Sequence, residues 1–213
     1  MQNKIFSKIY GWMFIGLLIS FITGYYVSTN TNMLYNIFST NMYWLLIIIE
    51  IIVVIWLSAG IKKMNIITAK TLYVLYSILT GLTLSTIFIA FKMSSIIFVF
   101  GITSIMFAIM SLIGTITKID LTKLGTILFM GLIGIIIASL INIFIGSQVF
   151  DLGITIIGII IFTLYIAYDV QKIKYIATNL DEDKAAIICA FELYLDFINL
   201  FIKLLRLFGK SKD

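Results

Sequence analysis

The chain has 213 residues, 62% of them hydrophobic and 12% charged, with a net charge of +5 and a mean hydropathy of +1.14. About 25% charge is usual for a soluble domain, so an ordinary soluble fold is excluded and a polytopic membrane protein is indicated. Histidine is absent and Cys189 is the one cysteine, which rules out an internal disulfide, the His and Cys ligand sets of zinc sites and imidazole triads.

Seven continuous apolar segments lie at Ile9–Val27, Tyr43–Ile61, Thr71–Phe91, Ser94–Thr117, Leu124–Ile145, Leu152–Tyr168 and Ala186–Phe208. Each is long enough, or nearly so, to cross a hydrocarbon core of about 30 Å as a helix. Strands of a membrane β-barrel would instead alternate in segments of about ten residues. The expected fold is all-α: a polytopic seven-transmembrane-helix bundle, one integral membrane domain over residues 1–213. Lys4 and Lys8 precede the first segment, but no small-residue cleavage site follows it, so it reads as a retained span. Gly16, Ser20 and Gly24 recur at a spacing of four on it, as do Gly134 and Ala138 on the fifth. Such faces predict close helix packing.

The longest connections are Ser28–Met42, which carries no charge, and Gln171–Ala185, which carries six. With the N-terminus inside, Lys4, Lys8, Lys62, Lys63, Lys70, Lys118, Lys123, Lys172, Lys174 and Lys184 fall on inner segments and only Lys92 on an outer loop. The positive-inside bias therefore predicts a cytoplasmic N-terminus. That bias also explains the lysine excess, and no basic stretch is interleaved with stacking aromatics, so no nucleic-acid partner is expected. Lys203, Arg206, Lys210 and Lys212 favour a last segment that dips in and returns; its length and continuity favour a full span, the reading adopted.

Four acids carry the functional question. Asp196 lies within the last apolar segment, where a carboxylate costs about 2.5–3.5 kcal/mol and usually faces a bundle interior or a wet path. Glu192, Asp196, Asn199 and Lys203 share one helix face. Asp169 sits in AYDVQKIK at the end of the sixth segment, where pairing with Lys172 or Lys174 is the structural alternative. Glu50 lies mid-way along the second segment with no basic residue nearby on its own helix. For Glu192, simple solvation near the interface is the competing explanation.

ELYLDFINLFIKLLR (Glu192–Arg206) and AYDVQKIK (Ala167–Lys174) resemble the last-segment and sixth-segment motifs of the transmembrane Bax inhibitor motif family, and the resemblance covers essentially the whole chain. It implies a bundle with the last helix central and a function as a pH-sensitive calcium leak channel in the bacterial cytoplasmic (inner) membrane. Asp169 and Asp196 would form the proton-sensitive latch and could bind calcium transiently. Glu50, with Glu192, would line the ion pathway. A basic residue ending the second helix helps to lock the latch in relatives, often as arginine; here Lys62 and Lys63 are the candidates. Calcium or another cation is the expected permeant ion, and no cofactor or enzymatic activity is expected. The alternative is a non-conducting stress-response regulator that binds and restrains a membrane protease, with Gln171–Ala185 as its contact surface. An intramembrane aspartyl protease fits poorly, because LYLD replaces GxGD and proline is absent. A proton-coupled transporter would show an internal repeat, and none is evident.

Overall fold

The computed structural model describes residues 2–39, 42–61 and 63–212. Its helices are α1 (Gln2–Thr29), α2 (Thr31–Phe38), α3 (Met42–Gly60), α4 (Ile66–Ala90), α5 (Met93–Ile116), α6 (Thr122–Ile145), α7 (Gln148–Asn179) and α8 (Glu182–Phe208). All but α2 are long and apolar enough to cross a membrane. Burial ranks them: 72% of the α8 apolar window is buried, against 11% for α3 and for α6. The last helix is thus the most buried although it carries charges, and α3 and α6 are the most exposed. Phe129, Met130 and Phe144 of α6 are exposed; a sheath of this kind suits acyl chains and would be a liability in water.

The short α2 was not anticipated in the connection Ser28–Met42. Asn30 caps it by accepting the Met33 N–H at 3.1 Å, and Ile37 is its buried residue.

The chain forms two compact units: Met1–Lys92, Ala177–Tyr194 and Ser211–Asp213 make the first, Met93–Ile176 and Leu195–Lys210 the second. In the first, α1 runs parallel to α4. A Cβ on Gly81 would stand 2.7 Å from the Ser20 carbonyl oxygen, and one on Gly24 would stand 3.0 Å from the Gly81 carbonyl oxygen. The Gly16–Ser20–Gly24 stripe is therefore the expected packing face. Lys8 Nζ joins α1 to the start of α8 through Asp183 Oδ1 at 2.7 Å and Glu182 Oε1 at 2.8 Å. Beyond α8, the Lys212 N–H donates to Ala90 O at 2.9 Å and Lys212 Nζ to Phe88 O at 2.7 Å. So α8 starts beside the start of α1 and its tail ends beside the end of α4. Its 27 residues extend about 1.5 Å each, or roughly 40 Å. The last helix crosses once and does not return.

In the second unit α5 and α7 meet backbone to backbone, Gly114 against Ala167. On α6, Gly125 admits the Tyr168 ring and Gly131 admits Ile161, while Leu128, Ile135, Ile154 and Ile161 form a core with Ala138 at its edge. Gly134 does not take part: a Cβ there would meet nothing within 4 Å. The inward face of α6 runs through residues 124, 128, 131, 135 and 138, and Gly134 falls off it. The α6 C-cap Gly146 has φ 65°, which a residue without a Cβ adopts without strain. At the other end the Thr122 side chain, and then its N–H at 2.9 Å, hydrogen-bond to the exposed Asp120 and hold its carboxyl below the usual range.

Two boundaries need correction. The helix that carries the sixth span does not end at Tyr168: α7 continues to Asn179, because Asp169–Asn179 contains no glycine or proline to stop it. The last helix starts at Glu182, not Ala186. The expected charged loop Gln171–Ala185 is therefore almost entirely helix.

Candidate functional site

Asp169 and Asp196 are both buried, 7% and 6% exposed, and both belong to the second unit. Two contacts fix the register of antiparallel α7 and α8: Arg206 Nη1 donates to Asp151 Oδ1 at 2.8 Å, and the Lys203 stem crosses Gly158. One heptad further along each helix, Tyr165 comes level with Asp196 and Asp169 lies one turn on. In keeping with this, Tyr165 is within electrostatic reach of both carboxyls. Because α7 continues past Tyr168, Asp169 lies inside a helix and not at its end.

Lys172 Nζ is 3.8 Å from Asp169 Oδ1, at the limit of an ion pair. Lys174 is engaged elsewhere, donating to Thr115 O at 2.7 Å. A cavity of about 390 Å³, lined by Thr122, Tyr168, Gln171, Lys172 and Tyr175, opens on the same side of α7. Gln171 steadies its rim, donating to Ile119 O and accepting from the Leu121 N–H, both at 2.8 Å.

Glu50 belongs to the first unit and is partly buried. The Thr80 hydroxyl donates to its Oε1 at 2.8 Å. Thr80 stands in a run of buried hydroxyls on α4 with Ser77, facing Ser20 of α1 and Tyr194 of α8. Ser20 has one hydroxyl hydrogen, which the Ser77 carbonyl takes at 2.7 Å. Its hydroxyl shares a 2.6 Å hydrogen bond with that of Tyr194 and also lies 3.0 Å from the Gly16 carbonyl oxygen. Tyr73 and Tyr76 close over this cluster, each in edge contact with Phe191 and Tyr194. Tyr194→Phe removes one buried hydrogen bond and leaves Ser20 its carbonyl partner, so thermal unfolding in detergent should show a loss of about 1 kcal/mol.

Of the other expected site residues, Glu192 is half-buried on α8. Lys63 is exposed in the turn after α3, and Lys62 lies outside the described residues. Among the described residues no cluster of three or more Asp, Glu, His or Cys could hold a metal ion. The sequence pattern does not single out Thr80, Tyr194 or Tyr165, and it marks Ser20 only as a packing residue. The signal for the first was present in the hydroxyl-rich stretch YSILTGLTLST, which is unusual within a span.

The sequence pattern of the family described as "Inhibitor of apoptosis-promoting Bax1" matches residues 2–213. The chain belongs to this Bax inhibitor-like family. Inner membrane protein YbhL of Escherichia coli (strain K12) is 42% identical over 213 residues, covering 97% of this chain and 91% of that protein. An uncharacterized protein of Borreliella burgdorferi is 44% identical over 218 residues, covering 100% and 94%. An uncharacterized membrane protein of Streptococcus pyogenes serotype M6 is 39% identical over 215 residues, covering 98% and 93%. Two of these names place Bax inhibitor-like relatives in membranes, in agreement with the seven long apolar helices here. Family membership spans the whole bundle, including the α7 and α8 segments that carry Asp169 and Asp196.

Proposed function

We propose that this Bax inhibitor-like protein is a proton-gated cation leak pathway of the bacterial cytoplasmic membrane, with calcium as the permeant ion and its N-terminus in the cytoplasm. The observation that supports the reading is the burial of two carboxyls, Asp169 and Asp196, on neighbouring spans, each within electrostatic reach of Tyr165. Two close carboxyls in a low-dielectric site do not both ionise readily; they share a proton and titrate as a pair. A shared proton ties α7 to α8, and its loss sets like charges against each other. One pH unit is worth about 1.4 kcal/mol per coupled proton, enough to move a finely balanced pair of states. The cavity beside Lys172 supports access of water and protons to Asp169. Glu50, held by Thr80 among buried hydroxyls, offers oxygen ligands of the kind a hard cation takes, and a few such ligands bind weakly enough to let it leave. The lysine asymmetry of the inner segments supports the orientation.

Calcium uptake into proteoliposomes across a pH series tests this. Wild-type uptake should vary with pH, and the variation should vanish in Asp169→Asn and in Asp196→Asn. Variants that keep the wild-type profile would remove the latch. Absence of uptake in every protein would favour the non-conducting regulator.

A further inference from the structure

The residues that line the cavity of about 390 Å³ all belong to the second unit, at the end where α6 begins. Its walls are held in place. The Tyr168 ring is seated against Gly125 of α6, and both ends of the Gln171 amide are hydrogen-bonded to the loop before α6. Lys172 Nζ lies 5.9 Å from the centre of the Tyr168 ring and 3.8 Å from Asp169 Oδ1. An ammonium carries three donors and serves several acceptors at once. Around the cavity, Lys118, Lys123, Lys172 and Lys174 stand against Asp120 and Asp169, so the local charge is positive. From Thr122 on the rim, Phe129 and Ile133 follow seven and eleven residues on along the same face of α6, and both are exposed. A polar, basic cavity thus opens onto an apolar strip of the span.

We propose that this cavity binds the headgroup phosphate of an anionic phospholipid, with an acyl chain lying along Phe129 and Ile133. Basic pockets between spans at the membrane edge take anionic headgroups in this way. Lys172 supplies the charge at the cavity wall. Tyr175, exposed at the mouth, suits the headgroup level, where tyrosine rings are favoured. A free phosphate would use the polar half of the site alone, and the strip on α6 favours a ligand with both halves. The inference goes beyond the leak reading and does not depend on it, because binding is expected whether or not the protein conducts.

Thermal unfolding of the purified protein in an uncharged detergent tests this, with dihexanoyl phosphatidylglycerol, dihexanoyl phosphatidylcholine and inorganic phosphate added separately. Each variant is compared with itself without addition. In wild type, phosphatidylglycerol at about tenfold its dissociation constant should raise the melting temperature by roughly 3–6 °C, and the other two additions by much less. Lys172→Gln and Tyr175→Glu should lose that response. Tyr175 is exposed, so the second variant decides the matter if the first does not purify. Lys4→Gln, a lysine of the first unit, should keep the response. A wild-type response in the cavity variants would overturn the site, as would an equal loss in Lys4→Gln. Equal shifts from phosphatidylglycerol and phosphatidylcholine would show that no anionic headgroup is selected, and an equal shift from inorganic phosphate would overturn the lipid in favour of the free ion.

Discussion

Gly114→Leu is expected to lower the melting temperature in detergent by roughly 6–12 °C, from about 3 kcal/mol of overpacking at about 2–4 °C per kcal/mol. A Cβ at this position runs into the Ala167 carbonyl oxygen and comes within 3.0 Å of the Ala167 carbonyl carbon and Cα. Those atoms are backbone and cannot rotate away, so α5 and α7 must separate. The damage should also reach function, because Ala167 precedes Asp169 by half a turn. Gly134→Ala is the matched control: nothing lies within 4 Å of its new Cβ, and exchanging glycine for alanine within a helix should leave stability unchanged or slightly raised. Equal melting temperatures for Gly114→Leu and wild type would show that α5 and α7 do not touch there.

Glu50→Gln should reduce calcium uptake at least about tenfold, the effect of roughly 1.4 kcal/mol on a rate. A unit charge about 4 Å from a passing ion is worth about 4 kcal/mol at an effective dielectric of 20, so even a third of that interaction suffices. The substitution leaves shape and hydrogen bonding in place, because the Thr80 hydroxyl that now donates at 2.8 Å can donate equally to an amide oxygen. Melting temperature should therefore stay near that of wild type while flux falls. Glu50→Asp, which keeps the charge on a shorter stem, should retain more flux than the glutamine variant. If Glu50→Gln conducts like wild type, Glu50 does not line the path.

The seven spans were legible because apolar runs of membrane length have few other uses. Asp196 and Glu50 stood out for the same reason: a carboxylate in such a run is costly unless something receives it. The ends of α7 and α8 were not legible. Hydropathy treats Asp169, Gln171, Lys172 and Lys174 as the edge of a membrane segment, whereas a helix continues until a breaker or a missing hydrogen bond stops it. Hydropathy alone therefore puts Asp169 at a helix end, whereas α7 runs on to Asn179. The small-residue rule found the α1–α4 face, where three positions agree, and misplaced the α6 face, where Gly125 and Gly131 rather than Gly134 make the close approaches. Gly114 could not be singled out at all, because its partner is a backbone atom and leaves no mark on side-chain pattern. The Thr80–Glu50 pair needs knowledge of which two helices face each other, which local sequence does not contain.

Tyr194 and Asp196 ride on one stiff rod. From Glu182 to Phe208 there is no glycine or proline to act as a joint, and the two residues point about 200° apart around the axis. A rotation of α8 about its axis therefore turns the Tyr194 hydroxyl and the Asp196 carboxyl through the same angle.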